Sequence, residues 1–203
     1  MMEKYNINKT TLRILGLFLG DYRRSMHVRE IARDVGVDVK AVGLQLRRLE
    51  NINVLSSIIK GRNKEYRLKL DNLVAKYYMI LAETFASIRF LEKNFLIKRL
   101  MSETGDKLEG TTVLFGSFAK GEMTEESDID LFIISDRKPD ADVIRETGSL
   151  IDREVNIKST NMKQFLDGLM DNDPLMMEVV SNHIVLKGID DFCEIVWRYN
   201  ARQ

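Results

Sequence analysis

Two aspartates two residues apart, Asp128 and Asp130, carry the chemistry this sequence most readily supports. They lie in Ser127-Asp128-Ile129-Asp130, at the mouth of an apolar run, Ile129–Ile134, that reads as a short buried strand. Along a strand, positions two apart face the same side, roughly 6.5 Å from each other. The two carboxylates therefore share a face, while Ile129, Leu131 and Ile133 pack behind it. Like charges so placed repel, and a divalent cation relieves the repulsion. Hard oxygen ligands of this kind suit Mg²⁺ or Mn²⁺ shared with substrate phosphates. Upstream, a second run rich in β-branched residues, Thr111–Phe115, ends at Gly116-Ser117 and is followed by Phe118-Ala119-Lys120. A strand that turns sharply through Gly and Ser into a helix presents backbone N–H groups to an anion. Singly, a Gly-Ser is an ordinary turn and an Asp-x-Asp ordinary solvated surface. In this order they form a phosphate cradle followed by a metal-holding carboxylate pair, the apparatus of phosphoryl or nucleotidyl transfer.

The run Thr111–Ile134, with its Gly116-Ser117, Lys120-Gly121 and Ser127-Asp128-Ile129-Asp130, resembles the nucleotidyltransferase superfamily of the polymerase β kind, especially its minimal prokaryotic branch. The likeness is close over residues 111 to 134 and looser from 135 to 160. It implies a small mixed sheet, with Asp128 and Asp130 as catalytic metal ligands. It also implies nucleoside triphosphate contacts from Gly116, Ser117, Lys120 and Ser127. The family sets a third carboxylate on a third strand, here Arg153–Lys158, and the matching position is Asn156, between Val155 and Ile157. Asparagine offers a metal a neutral oxygen but cannot take a proton from an attacking hydroxyl. Glu154, two residues earlier on the same strand face, is the other candidate for the metal. Two outcomes stay open: transfer of a nucleoside monophosphate to an acceptor hydroxyl, or a weakly active or inactive nucleotide sensor within a regulator. Minimal members of the family often act in toxin–antitoxin pairs, which adds a partner protein to the expected ligands.

Other segments must position this site and connect it to something. The 203 residues suffice for two small domains. Formal charge sums to zero, yet residues 1–70 hold fifteen Lys and Arg against seven Asp and Glu, or +8, leaving sixteen against twenty-four, or −8. The two ends should have different partners, a polyanion for the first and metal-bound substrate for the second.

Residues 8–20 read as an apolar helix with Leu12, Leu15, Phe18 and Leu19 inward. Val28–Val35 reads as a second helix, Gly36 as a turn, and Asp38 as the cap of a third helix reaching Glu50. Val39, Val42, Leu46 and Leu49 mark the buried face of that third helix, with Lys40, Gln45, Arg47 and Arg48 on the remainder. Val54–Lys60 and Lys64–Leu70, joined by Gly61-Arg62-Asn63, read as a β-hairpin. This succession resembles the winged helix-turn-helix domains of prokaryotic transcription regulators. The resemblance implies double-stranded DNA binding through Lys40, Gln45, Arg47, Arg48, Arg62 and Lys64, with RNA or protein docking as the alternative.

Asp71 to about Met101 lacks Gly and Pro and reads as one long helix, roughly 40 Å at 1.5 Å per residue. Its stripe of Val74, Tyr77, Leu81, Phe85, Ile88, Leu91 and Phe95 fits either a spacer packed on both domains or the seam of a homodimer. The domain reading is 1–70 winged helix-turn-helix, 71–104 linker helix and 105–203 nucleotidyltransferase-like, an α+β chain. Beyond Ile134, helices are expected from Pro139 to Leu150 and over Asn161–Met170, Pro174–Val180 and Asp190–Tyr199. Met162, Phe165, Leu169 and Phe192 are among the expected packing residues. A single cysteine, Cys193, excludes an intramolecular disulfide. No run approaches the ~20 apolar residues of a membrane span, and the first residues lack a secretory apolar core, so a cytoplasmic protein is expected.

Overall fold

Asn8 opens the first helix of the computed structural model, which describes residues 7–61, 63–151 and 153–202. Its side chain accepts from the Thr11 N–H at 3.0 Å, satisfying one of the helix-start donors. That helix, α1 (Lys9–Gly16), stops short of the expected residue 20, and residues 17 to 19 continue as tighter turns bonded three residues back. Ile14, Leu15 and Phe18 form its buried face, while Leu12 and Leu19 are only half-buried. A two-residue strand, β1 (Met26–His27), leads into α2 (Val28–Val35). Gly36, at φ +63, ends α2 in the left-handed region. Asp38 then starts α3 (Val39–Asn51) by accepting from the Lys40 and Ala41 N–H groups at 2.8 and 3.3 Å.

On α3, Val42, Leu46 and Leu49 are buried at their helical spacing. Val39 departs from the expected core: at the first helical position it lies before the buried stripe and is 42% exposed. β2 (Leu55–Lys60) and β3 (Asn63–Leu68) pair antiparallel from Leu55↔Leu68 to Lys60↔Asn63, so Asn63 belongs to the strand and not to the turn. β1 adds to the outer side of β3, giving the order β1-β3-β2. Too short for any period to show, β1 was absent from the sequence-based expectation.

The expected single long helix is two. α4 (Leu73–Lys93) and α5 (Phe95–Thr104) are separated by Asn94, whose backbone leaves the helical region at φ −117 and ψ 78. The Asn94 carboxamide donates to the Phe90 carbonyl at 2.8 Å, the same carbonyl that accepts the Asn94 backbone N–H at 3.0 Å. Most of the apolar stripe faces the other way: Tyr77 is 56% and Ile88 50% exposed, whereas Ala75, Tyr78, Met79 and Ala82 are buried; of the stripe, Phe85 and Leu91 are half-buried. The chain divides into two compact units, Met1–Phe85 with Asn200–Gln203, and Ala86–Tyr199, the division falling inside α4.

The second unit is built on a four-stranded mixed sheet of order β6-β5-β4-β7. Its strands are β4 (Thr111–Phe115), β5 (Ile129–Ile134), β6 (Val155–Thr160) and β7 (Ile184–Lys187). β4 is antiparallel to both neighbours, while β5 and β6 are parallel and joined through α7 (Ala141–Ile151). Every residue of β4 is buried, as expected of a strand covered on both faces. On one face Leu114 and Leu131 pack with Ile97 and Leu100 of α5 and Ile151 of α7. On the other, Phe132 meets Phe165 of α8 (Met162–Met170) at 5.3 Å and Phe115 at 6.3 Å between ring centres. Met162 itself is exposed, at the edge of that layer and outside the expected core. The five-residue α6 (Gly116–Lys120), α9 (Pro174–Ser181) and α10 (Ile189–Arg202) complete the chain. Among the described residues no helix is long and apolar enough to cross a membrane.

Candidate functional site

The antiparallel register of β4 and β5 sets Phe115 opposite Asp130, so the turn after β4 passes directly beside that carboxylate. Gly116 takes φ +69 there, and a Cβ at this position would fall inside contact distance of Asp130 Oδ2. Only glycine reconciles the left-handed backbone with so close an approach. α6 follows but spans five residues, too few for a substantial macrodipole. Any cradle here therefore rests on the backbone of the turn and on Ser117, which is half-buried.

The parallel register of β5 and β6 pairs Asp130 with Asn156. The Asn156 amide nitrogen lies 3.4 Å from Asp128 Oδ2 and 3.5 Å from Asp130 Oδ1, long donations shared between the two carboxylates. Both acids thus converge on one point, at present held by a neutral donor. Burial raises the Asp130 carboxyl above its ordinary value; the Asn156 donation opposes the rise and the Asp128 charge adds to it. Glu154 precedes β6 and is exposed; its backbone carbonyl accepts from the Ile129 N–H at 2.9 Å. Among the described residues no group of three or more His, Cys, Asp or Glu is placed to hold a metal. The donor set is two carboxylates and an amide that offers its oxygen on turning over. That set fits Mg²⁺, which keeps several waters and takes its remaining ligands from substrate phosphates.

The loop between α6 and β5 is shaped by two residues. Ser127 Oγ accepts from the Thr124 N–H at 2.8 Å, so this hydroxyl, expected to meet nucleotide, closes a turn of its own loop. Arg153 donates from Nη1 to the carbonyls of Glu125 and Ser127, tying the loop to the start of β6. Lys120 is exposed and ion-paired to Glu178 of α9 at 2.7 Å, which raises its pKa. Glu178 also contributes a like charge near Asp130. Glu178 was not found from sequence, since α9 lies far downstream and only the fold returns it to this edge; Arg153 was read only as the start of the third strand.

In the first unit, Lys40, Arg47 and Arg48 are exposed on α3, together with Leu44. Gln45 is turned inward: it sits one helical step from Leu49 and accepts from Thr11 Oγ1 at 3.3 Å. Lys64 is bound to Glu50 at 2.8 Å and lies over the Tyr66 ring at 5.0 Å. Gln45 thus leaves the exposed set expected to meet DNA, whereas Lys64 stays exposed with its charge paired. Arg62 lies outside the described residues.

Comparison with known proteins adds one family. Residues 96–167 match the family model described as a nucleotidyltransferase domain. No curated protein matches the chain. Among solved structures, a toxin–antitoxin structure with AMP-PNP is 20% identical with a TM-score of 0.35, over 54% of this chain and 89% of that one. The human N-acetylserotonin methyltransferase with SAM gives 13% identity and a TM-score of 0.28, over 79% and 63%. TrmBL2, an archaeal chromatin protein, gives 17% and 0.27, over 86% and 70%.

Proposed function

We infer that this chain is a DNA-binding protein whose second unit is a Mg²⁺-dependent nucleotidyltransferase-like domain that binds a nucleoside triphosphate. The observation that carries this reading is the convergence of Asp128 and Asp130 on the Asn156 amide, beside a glycine turn that only glycine can make. The family match over the same segment supports it. Bound Mg²⁺ would supply charge neutralisation for the phosphates. The chain's own residues do the rest. Asp128 and Asp130 would hold the ion, while the Gly116-Ser117 backbone and Lys120, once released from Glu178, would receive phosphate oxygens. Arg153 keeps the loop before Asp128 in place.

Transfer to an acceptor hydroxyl is slow in this account. Asn156 occupies the place where a third carboxylate would bring one more negative charge and a proton acceptor, and Glu154 is outside the strand. A regulator whose domain senses nucleotide is the second reading, favoured by the same amide. The test is transfer from a labelled triphosphate. Wild type should be slow, Asn156→Asp faster, and Glu154→Gln no different from wild type. Robust wild-type transfer abolished by Glu154→Gln would overturn the assignment of the third position.

The DNA reading rests on the three helices, the hairpin wing and the extra strand β1, read as a winged helix-turn-helix with α3 as its recognition helix. Lys40, Arg47 and Arg48 are the phosphate- and base-reaching side chains on that helix. Binding is therefore salt-dependent, since phosphate contacts release counterions. Further partners in this reading are a second copy of the chain and a partner protein of the toxin–antitoxin kind.

A further inference from the structure

The first unit contains a cleft of about 560 Å³ that neither the metal site nor the α3 face uses. Its wall is made by Tyr22 and Arg23 after α1, Ser56 on β2, Arg67 to Asp71 at the end of β3, and Asn200 and Ala201 at the end of α10. All of these belong to the first unit. The volume lies in the range of small-molecule sites. Ser56 pairs with Arg67 one step from the base of the hairpin, four pairs from Lys60↔Asn63. That separation is roughly 13 Å along the strand. The cleft thus opens at the opposite end of the wing from its turn.

Charge decides what fits. Three cations, Arg23, Arg67 and Lys69, line the cleft against one carboxylate, Asp71. Elsewhere in this unit Arg24 pairs with Glu30 at 3.1 Å and Lys64 with Glu50 at 2.8 Å. Arg67 and Lys69 instead meet neutral partners, Ser56 Oγ at 3.3 Å and Asn53 Oδ1 at 3.4 Å. Among the described residues neither forms an ion pair. The arrangement has the marks of an anion site: guanidinium forks, an ammonium, a hydroxyl to orient them, and Tyr22 fully buried beneath. We propose that this cleft binds a small polyanion, a phosphate ester or a polycarboxylate, as a ligand of the first unit separate from both DNA and the nucleotide of the second.

The test uses the full chain carrying Asp128→Asn and Asp130→Asn, which removes the other expected polyphosphate site, with inorganic pyrophosphate and citrate as probes in calorimetric titrations. Saturable binding of at least one probe is expected. It should weaken at least about tenfold in Arg67→Gln/Lys69→Gln and again in Arg23→Gln, which alters a different wall. Arg47→Gln/Arg48→Gln should leave it unchanged. Thermal unfolding of each variant confirms an intact fold, and the single change Arg67→Glu at an exposed position provides a second route should the double variant unfold. The proposal is overturned if neither probe binds at millimolar concentration, or if the cleft variants bind as the parent does. It is also overturned if the α3 variants lose the probe equally, or if cleft changes weaken duplex DNA as much as α3 changes do, since the cleft would then belong to the DNA surface.

Discussion

Gly116 is the residue on which the proposed metal site most depends without itself being a ligand. Its φ of +69 and its proximity to Asp130 Oδ2 leave no space for a side chain. Gly116→Ala should cost about 1–3 kcal/mol through backbone strain alone, with an added loss from displacing the carboxylate. Chemical denaturation measures the first effect and Mg²⁺-dependent nucleotide binding the second. Asp130 gives a prediction of opposite sign. Its carboxyl is raised by burial, so the folded chain holds that proton more tightly than the unfolded chain does. Metal-free stability therefore falls as pH climbs from the ordinary carboxylate value through the raised one. Asp130→Asn removes that penalty and should melt higher than wild type at neutral pH without metal. Wild-type Mg²⁺ binding should weaken on acidification at a pH where an unperturbed carboxylate remains ionised. A thermal scan without metal that shows Asp130→Asn melting lower would contradict the assignment.

At the scale of elements, α4 is the instructive case. Val74, Tyr77, Leu81 and Ile88 repeat at helical spacing, and that spacing is visible in sequence. Which stripe turns inward is not visible, because Ala75, Tyr78, Met79 and Ala82 make an equally regular apolar face. A helix with apolar residues on both sides has one face to give to a second molecule. Val74, Leu81 and Ile88 stand seven residues apart, the spacing of a two-helix seam. Leu81→Glu should shift a homodimer toward monomer in sedimentation equilibrium and leave the melting temperature within a few degrees. An unchanged association state would remove the seam. The break at Asn94 was hidden for a related reason. Asparagine is tolerated inside helices, and nothing in the local sequence marks Asn94 as the point where the backbone leaves the helical region.

The sheet was more legible than the helices. Apolar runs at 111–115 and 129–134, with Gly-Ser and Asp-Ile-Asp at their ends, fix strands whose neighbours have to cover both faces. Asn156 was singled out by the family resemblance alone, and the parallel register of β5 and β6 sets it beside Asp130. Contacts between distant segments did not follow. Glu178 reaches Lys120 across 58 residues, a pairing that local spacing does not encode. The same limit applied to Gln45, whose polarity pointed outward and whose bond to Thr11 points inward.

Over the whole molecule the charge split of +8 and −8 goes with the two tasks proposed for the two ends of the chain. The basic unit should bind duplex DNA with an affinity that falls steeply as salt rises. Arg47→Gln/Arg48→Gln should weaken binding and flatten that slope by about two phosphate contacts. A salt series in fluorescence anisotropy reads both, and an unaltered slope would take these arginines off the DNA.

The acidic unit carries the central claim, that Asp128 and Asp130 together hold a divalent ion beneath a nucleotide. Calorimetric titration of the full chain with each nucleoside triphosphate, with and without Mg²⁺, tests it most directly. Binding should require the metal and should fall at least about a hundredfold, near 3 kcal/mol, in Asp128→Asn/Asp130→Asn with the fold intact. Metal-dependent binding of equal strength in that variant would contradict the account.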